Sequence, residues 1–374
     1  MLGIGIIGCG NISTAYLRLA PLFKGLEVRA VADLNLDAAQ AQASAFDVRA
    51  HSVEELLAAD DIDIVVNLTI PDAHFEVTRA ILQAGKHAYS EKPIVLTQEQ
   101  GEALRALATE KGLRVGSAPD TFLGGAHQAA RAAIDAGEIG DVVAGTAHVM
   151  NHGMEHWHPN PDFFFLPGAG PMLDIGPYYV TNLIQLLGPV ARVAALTSTP
   201  ATTREILSEP RRGEVIPVKT PTNIHALLDF ENGATITLST SWDVWAHRHG
   251  HMELYGSKGT MFLPDPNWFS GDVEIVDAEG NSTMLDTDTH PFGIPNQDNH
   301  GVAKANYRTA GLADMAAAMQ DGRPHRCALE LALHAVDVMT AVLDAGEKGE
   351  VIKLSSTCQR PEPLTVDAAK ALLK

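Results

Sequence analysis

The sequence is poor in cysteine. Its three cysteines, Cys9, Cys327 and Cys358, are too few for the disulfide framework of a small secreted domain. They also lack the CxxC spacing of zinc and redox sites. The chain starts with a strand-like apolar run and no basic segment before it, so a signal peptide is not expected. The cysteine content therefore predicts a cytoplasmic protein.

Basic residues and long apolar runs are also scarce. The chain of 374 residues has 27 Lys and Arg against 46 Asp and Glu, a formal net charge of −19. Nucleic acids and anionic membrane surfaces require a basic face, so neither is an expected partner. The longest uncharged apolar stretch, residues 175–191, contains two Gly-Pro pairs. It predicts an internal helix followed by a turn, not a membrane span.

The hydrophobic pattern changes about a third of the way along the chain. Up to residue 120, short apolar runs alternate with Ala-rich amphipathic stretches, which is typical of a parallel sheet covered by helices. Beyond it, longer alternating runs indicate a mixed or antiparallel sheet, and helical patterns return near the end. We predict an α/β protein: a Rossmann domain with a doubly wound parallel sheet over 1–120, and an α+β domain with a large, mostly antiparallel open sheet over 121–374. The late helices would be able to pack back on the first domain.

A glycine turn follows the first predicted strand. Gly8 and Gly10 open a helix there, with Ser13 where a third glycine of GxGxxG would stand. Such a turn aims free backbone N–H groups at a pyrophosphate. Asp33 ends the second strand about 20 residues later, where a carboxylate accepts the ribose hydroxyls and repels a 2′-phosphate. The pattern favours NAD over NADP; the alternative is a tight turn with Asp33 as a helix cap.

Three further segments complete a recognisable set. They are Pro71-Asp72-Ala73-His74 after the third long strand, Glu91-Lys92-Pro93 at a strand end, and Asp174-Ile175-Gly176-Pro177-Tyr178 in the second domain. With the glycine turn and Asp33, they resemble the Gfo/Idh/MocA family of nicotinamide-dependent oxidoreductases. The resemblance extends over nearly the whole chain. It is closest to a subgroup with tyrosine in place of the usual catalytic histidine.

The resemblance implies the roles of the site residues. Lys92 would lie near the nicotinamide ribose and the reacting hydroxyl, with a following proline that is often cis in relatives. Asp174 and Tyr178 are four residues apart, which places them on one face of a helix. With a reference pKa near 10, Tyr178 needs a nearby cation to act as a general base, whereas it is suited to act as a general acid. The cofactor-binding residues would be Gly8, Gly10, Asn11, Ile12, Asp33, Asn67, Thr69, Pro71, His74, Glu91 and Lys92.

Histidines cluster in two places outside these motifs. His152, His156 and His158 lie within a few residues of Glu155, but their spacing fits no single helix or strand face, so no metal site is predicted. We expect a loop at the cleft in which Trp157 stacks on a sugar and His156 bonds its hydroxyls; a buried structural loop is the alternative. A second group, His247, His249 and His251, alternates along a strand-like run and would share one sheet face.

The predicted function is NAD-dependent oxidation or reduction of a hydroxyl or carbonyl group in a sugar, sugar derivative or cyclic polyol. Lys92, Asp174 and Tyr178 would form the proton relay, and Asp174 could alternatively bond the substrate. The resemblance leaves two other functions open: a redox-assisted glycoside hydrolase and a non-catalytic NAD-binding regulator. It also implies a homodimer or homotetramer formed through the outer face of the second sheet. Tyr307 and Arg308 either reach the cleft or cap the following helix.

Overall fold

The first part of the chain forms a parallel sheet between helices. The computed structural model describes residues 1–299 and 301–374. Six strands lie in the order β3-β2-β1-β4-β5-β6. They are β1 (Leu2–Ile7), β2 (Leu26–Ala32), β3 (Arg49–His51), β4 (Ile64–Asn67), β5 (His87–Ser90) and β6 (Val115–Ser117). The strand order reverses direction between β1 and β4, and in such sheets the crevice outside the carboxyl ends at that point binds ligands.

The crossover helices have clear sequence signals at their ends. They are α1 (Asn11–Leu19), α2 (Leu36–Phe46), α3 (Val53–Ala58), α4 (Pro71–Gln83) and α5 (Gln98–Lys111). Ser52 and Glu55 form a capping box at the start of α3, and the Thr97 hydroxyl accepts the Gln100 N–H at the start of α5. Gly112 ends α5 in the left-handed conformation. The doubly wound fold, predicted from the alternation of apolar runs and amphipathic stretches, is confirmed.

A nine-stranded open sheet forms the centre of the second part. Its order is β16-β15-β14-β13-β7-β12-β11-β8-β19. Neighbours β7 and β12 run parallel, and the other neighbouring strands are antiparallel. The strands are β7 (Val142–Met150), β8 (Val190–Ser198), β11 (Asn223–Phe230), β12 (Thr235–Ser241), β13 (Met252–Gly256), β14 (Gly259–Leu263), β15 (Glu274–Asp277), β16 (Ser282–Met284) and β19 (Ile352–Lys353).

Helices cover one face of this sheet and join it to the first part. They are α6 (Gly125–Asp135), α7 (Gly170–Asp174), α8 (Gly176–Leu187), α9 (Ala310–Asp321), α10 (Leu329–Lys348) and α11 (Val366–Leu372). A Cβ on Gly101 of α5 would lie 2.6 Å from the Leu333 side chain of α10, and a Cβ on Gly116 of β6 would lie 3.0 Å from the Met315 sulfur of α9. Late helices therefore lie directly against the first sheet and its helices. In the described part of the chain, no helix is long and apolar enough to span a membrane.

Two small hairpins complete the fold. They are β9 (Thr203–Glu205) with β10 (Val215–Pro217), and β17 (Gln297–Asn299) with β18 (Val302–Lys304). The first hairpin packs with the loop after β7 around a separate small core, which we call the satellite core. It consists of Met154, Phe165, Ile206, Ile216, Val218 and Trp242.

One expectation about local structure is confirmed and one is wrong. Residues 175–191 contain helix α8, which ends at Leu187, and the Gly188-Pro189 connection then leads into β8 at Val190, as expected. Residues 247–251 were expected to form a strand, but they lie in a loop, and β13 begins at Met252. His251 does not lie with the other two histidines, because its Nδ1 is 3.0 Å from the hydroxyl oxygen of Tyr179. The rings of His247 and His249 stack with their centroids 6.1 Å apart. Alternation of residue type alone did not establish strand pairing in this loop.

Candidate active site

The glycine turn at the end of β1 is shaped for close approach. Gly8 has φ +102°, and a Cβ there would lie 2.6 Å from the Leu68 carbonyl oxygen. A Cβ on Gly10 would meet nothing within 4 Å, so the space in front of the turn is open. Gly10 also caps α1 without a side-chain acceptor. The first N–H groups of α1, at Asn11 and Ile12, are therefore placed to bind an anion.

Asp33 closes the other side of the turn. Its two carboxylate oxygens accept the N–H groups of Cys9 at 2.7 Å and Asn35 at 2.8 Å. Asn35, and not Asp33, caps α2, because the Asn35 side chain accepts the Asp37 N–H. Each carboxylate oxygen keeps acceptor capacity for a ribose hydroxyl. Burial raises the pKa of Cys9 to about 11, which leaves this thiol protonated and unreactive.

Asn67, Thr69 and His74 form a buried layer behind the turn. The Asn67 amide donates to the His74 carbonyl at 3.0 Å and accepts the Thr69 hydroxyl at 2.7 Å. The His74 ring lies between two carbonyls, with Nδ1 2.7 Å from Pro93 O and Nε2 3.0 Å from Thr69 O. Burial lowers the pKa of His74. Since both ring nitrogens contact main-chain oxygens, these side chains fix the strand ends that border the crevice.

Pro71 starts α4, and the residue before it is exposed beside the crevice. Ile70 is 65% exposed and Leu34, which follows Asp33, is 96% exposed. These two apolar side chains follow β4 and β2, the strands on either side of β1. An exposed apolar pair at this position suits a flat heterocycle.

Lys92 connects the two parts of the molecule. Its Nζ donates to the Asp174 carbonyl at 2.6 Å and to Asp174 Oδ1 at 3.0 Å. Burial favours the neutral amine, but the negative charges of Asp174 and Glu91 outweigh it and raise the pKa of Lys92. The ammonium therefore stays charged. Glu91 is held in turn by the Tyr16 hydroxyl, which donates to it at 3.0 Å, and the Lys92–Pro93 peptide is cis.

Asp174 and Tyr178 come from two helices instead of one. Helix α7 ends at Asp174 and α8 begins at Gly176, because Pro177 lacks the N–H that would bond to the Leu173 carbonyl. Both residues still face Lys92, whose Nζ lies 5.2 Å from the centroid of the Tyr178 ring. Tyr179 points away into the core, with its hydroxyl on His251 and Asp265. The structure thus brings Lys92, Asp174 and Tyr178 together.

The histidine loop after β7 spreads its three histidines apart. His152 stacks on Trp245 with ring centroids 3.4 Å apart, and the His158 ring lies among Trp157 and Phe163. His156 and Trp157 are exposed, the latter by 56%. No group of three potential metal ligands is found in the part of the chain described. The loop ends beside the first sheet, where a Cβ on Gly168 would lie 3.3 Å from Leu96.

A buried ion cluster holds this loop in place. Arg204 of β9 donates to Glu155 Oε1 at 2.9 Å and also bonds Asp243, which follows β12. Asp243 in addition accepts the Thr222 hydroxyl at 2.7 Å. The sequence analysis missed this cluster, because its members are about 40 residues or more apart and no local pattern connects them.

Arg308 lies against the candidate catalytic tyrosine, whereas Tyr307 does not. The Arg308 guanidinium carbon is 5.9 Å from the Tyr178 ring centroid, and Tyr307 turns its hydroxyl to the Ile294 carbonyl at 3.1 Å. Asp120, also missed, is 2% exposed and accepts the N–H groups of Thr309 and Gly311 at 3.0 Å each. Burial raises the pKa of Asp120 to about 6. An arginine two residues before a helix was the one sequence signal for this part of the site.

The comparisons with known proteins agree with this architecture. Residues 2–118 match the oxidoreductase family with an NAD-binding Rossmann fold, and residues 127–262 match the Gfo/Idh/MocA C-terminal domain. The chain therefore belongs to the Gfo/Idh/MocA family of oxidoreductases. Its first domain has the NAD-binding Rossmann fold of that family.

Individual relatives are more distant. A dTDP-3,4-didehydro-2,6-dideoxy-alpha-D-glucose 3-reductase of Streptomyces violaceoruber is 33% identical over 199 residues, 51% of this chain and 56% of the relative. In the first three curated relatives the matched region spans 38%, 48% and 63% of their length. An NAD-binding oxidoreductase of Klebsiella pneumoniae has a TM-score of 0.81 at 20% identity, covering 95% of this chain and 99% of that one. The structure of a levoglucosan dehydrogenase in complex with NADH and L-sorbose has a TM-score of 0.79 at 20% identity. It covers 95% of this chain and 99% of that one.

Proposed function

We propose that this protein is an NAD-dependent dehydrogenase that oxidises a secondary or anomeric hydroxyl of a sugar, sugar derivative or cyclic polyol, or reduces the corresponding carbonyl. The observation that carries the proposal is the contact between Lys92 at the end of β5 and Asp174 at the end of α7, with Tyr178 beside both. A cation, a carboxylate and a phenol then meet at the crevice where parallel sheets bind ligands.

The residues of the first domain fit a dinucleotide. The uncapped start of α1 and the open space at Gly10 suit a pyrophosphate, and Asp33 suits ribose hydroxyls. Leu34 and Ile70 provide apolar contacts for the adenine. NAD is preferred to NADP, because Asp33 would repel a 2′-phosphate and neither Leu34 nor Asn35 provides a cation. The chemistry that NAD supplies when bound is acceptance or return of a hydride at the carbinol carbon.

The proton is handled by the three residues at the domain junction. Lys92 uses two of its three N–H donors on Asp174, and the third remains for the substrate oxygen. Tyr178 accepts the hydroxyl proton at its phenol oxygen during oxidation and returns it during reduction. Asp174 fixes the direction of the ammonium and thereby orients the substrate.

The substrate side is formed by the histidine loop. Exposed Trp157 offers an apolar face to a sugar ring, and His156 next to it bonds the hydroxyls. One curated relative is named as a dTDP-sugar reductase, and two solved structures with this fold are titled as a levoglucosan dehydrogenase and a putative myo-inositol dehydrogenase. These names support a carbohydrate or cyclic polyol as the substrate class.

The uncovered face of the open sheet is the proposed subunit contact. Leu196 of β8 and Leu227 of β11 are 75% and 50% exposed on this face, where His225 pairs with Leu196. Burial of such side chains against a second copy favours a homodimer or homotetramer. A cytoplasmic location stays a prediction from the cysteine content; the three thiols are free.

The test is a substrate panel followed by near-ultraviolet absorbance. Purified protein is incubated with NAD or NADP and with aldoses, cyclic polyols, anhydrosugars and glycosides. We expect reduced cofactor with one substrate class, a preference for NAD, and loss of the signal in Lys92→Ala but not in Lys111→Ala, which changes an exposed lysine of α5. Cleavage of a glycoside without net reduction would replace the proposal by a redox-assisted hydrolase. Tight NAD binding without turnover of any substrate would favour the regulator.

A further inference from the structure

Among the described residues, Arg308 is a partly buried cation that donates to no carboxylate. Within residues 1–299 and 301–374, its polar contacts are neutral oxygens: Nη2 donates to the Asn267 carbonyl at 3.0 Å and to Asn267 Oδ1 at 2.7 Å, and Nη1 donates to Asn306 Oδ1 at 3.3 Å. Its flat faces meet aromatic rings, since the guanidinium carbon lies 5.8 Å from the Trp268 centroid and 5.9 Å from that of Tyr178. In a chain with net charge −19, an enclosed arginine whose hydrogen bonds go to neutral oxygens is unusual.

The hydrogen bonds of Arg308 decide what kind of anion it suits. A guanidinium binds a carboxylate or phosphate in bidentate fashion, through Nη2 together with either Nη1 or Nε. Here Nη2 makes two bonds to Asn267, so neither pair is free. The remaining donors point in separate directions and suit a single oxygen. Tyr178 lies on this side of the guanidinium, with its ring centroid 5.9 Å from the guanidinium carbon. Burial opposes the charged form of Arg308, but the interaction with Tyr178 helps raise the pKa of the arginine above its usual value.

We infer that Arg308 is a positioning residue whose charge stabilises the ionised hydroxyl of Tyr178 and so makes this tyrosine an effective general base. The inference rests on the proposed function, in which Tyr178 accepts the substrate proton. It assigns to Arg308 a role that Lys92 does not fill by itself.

The charge balance around Tyr178 explains why a second cation is needed. Lys92 forms an ion pair with Asp174 at 3.0 Å, so the pair has no net charge. Glu91 and Asp120 add negative charge nearby, and both help raise the pKa of Arg308. Negative charge beside a phenol disfavours its ionised form. Arg308 supplies the positive charge that is not cancelled by a direct partner, at close range to the ring.

The position of Arg308 is fixed from three sides. Asn267 and Trp268 hold the guanidinium, as described above. The backbone after it is fixed by Asp120, which accepts the N–H groups of Thr309 and Gly311. Thr309 has φ +104°, a conformation that L residues rarely adopt and that a chain maintains only when its surroundings determine it. The arrangement thus directs one side chain at Tyr178.

The experiment titrates Tyr178 directly and compares the titration with turnover. Ring-labelled tyrosine is followed by NMR across pH in the full chain, and Tyr178→Phe assigns the signal among the six tyrosines. In Arg308→Gln we expect the Tyr178 titration and the acid limb of kcat/KM to move together to higher pH. Loss of one nearby charge predicts a fall in turnover at neutral pH of roughly 10- to 100-fold that is recovered as pH rises.

Two further variants separate charge from packing. Arg308→Lys keeps the charge and should restore most of the wild-type titration. Lys304→Gln removes the other cation on Trp268, 5.7 Å from its centroid, and should leave the Tyr178 titration unchanged. An unshifted Tyr178 titration in folded Arg308→Gln overturns the inference. Full turnover in Tyr178→Phe would instead overturn the proposed proton acceptor, whatever the NMR titration gives.

Discussion

The two walls of the cleft are built in different ways. The first wall is a set of strand ends and turns of one parallel sheet. Gly8 and Asp33 follow β1 and β2 directly, Asn67 is the last residue of β4, and Lys92 lies two residues after β5. The second wall is assembled from distant segments, such as Glu155, which meets Arg204, and Tyr178, which meets Arg308. The first wall is therefore fixed by local chain geometry and the second by buried polar contacts. Substitutions in the two walls should therefore have different effects on turnover and stability.

The largest expected effect is on turnover, where the two walls meet. Lys92→Ala removes the ammonium that joins Asp174 to the first domain, and we expect kcat to fall by roughly 10²- to 10⁴-fold. NAD affinity, measured by fluorescence titration, should change far less, because the pyrophosphate and adenosine contacts remain. A variant that keeps most of its turnover would show that the junction is structural.

The next largest effect is on the stability of the second wall. Arg204→Met leaves Glu155 and Asp243 buried without their cation, and such a break costs about 3–5 kcal/mol. Urea unfolding should report this loss. Arg211→Met is the matched control, since Arg211 pairs with Asp162 and Glu214 near the surface and its loss should cost less than about 1 kcal/mol. Equal losses in both variants would mean that burial does not determine the strength of this cluster.

A smaller loss of stability is expected in the first wall. Gly8→Ala introduces a Cβ 2.6 Å from the Leu68 carbonyl at φ +102°, and we expect it to destabilise the fold by about 2 kcal/mol and to weaken NAD binding. Gly85→Ala is the control: it also has positive φ, +78°, but its Cβ would meet nothing within 4 Å. The difference between the two melting temperatures measures the steric clash alone. If the two variants melt alike, close approach at Gly8 is not what requires glycine.

The last expected effect is a pH dependence of stability at the junction of the walls. Burial raises the pKa of Asp120 to about 6, above its value of about 3.9 in the unfolded chain. The folded state therefore binds this proton more tightly, and the Asp120 contribution to stability is present at low pH and lost as pH rises from about 4 to 6. Relative to Asp120→Asn, which still accepts the N–H groups of Thr309 and Gly311, the wild type should lose stability over this interval. Parallel pH curves for both proteins would contradict the assignment.

The first wall was predictable because its signals are local. Turn glycines, an acid at the end of β2 and the strand-ending Glu91-Lys92-Pro93 all act within a few residues of their position, and the confirmed family resemblance uses the same motifs. His74 shows the limit of such signals. Its position after β4 was predicted, but sequence did not indicate that both ring nitrogens would contact backbone carbonyls.

The second wall was predictable only in part. The pair Asp174 and Tyr178 was found from its spacing, although Pro177 divides the expected helix into two. Strand β8 was missed although it is nine residues long. The β9–β10 hairpin was missed because strands of three residues do not differ from loops in a single sequence. The segment 247–251 was wrongly predicted as a strand, because its histidines alternate along the sequence although the segment pairs with no neighbouring strand in the described structure.

The sequence by itself determined the class of protein, the parallel sheet, the cofactor turn and the identity of the three residues at the domain junction. These depend on hydrophobic periodicity and on short motifs, which act over neighbouring residues. Tertiary structure alone decided that Arg308 faces Tyr178, that Asp120 holds the backbone beside it and that Arg204 joins Glu155 to Asp243. Such contacts join residues from about 40 to almost 190 positions apart in the chain. Only packing of the whole chain brings these residues into contact.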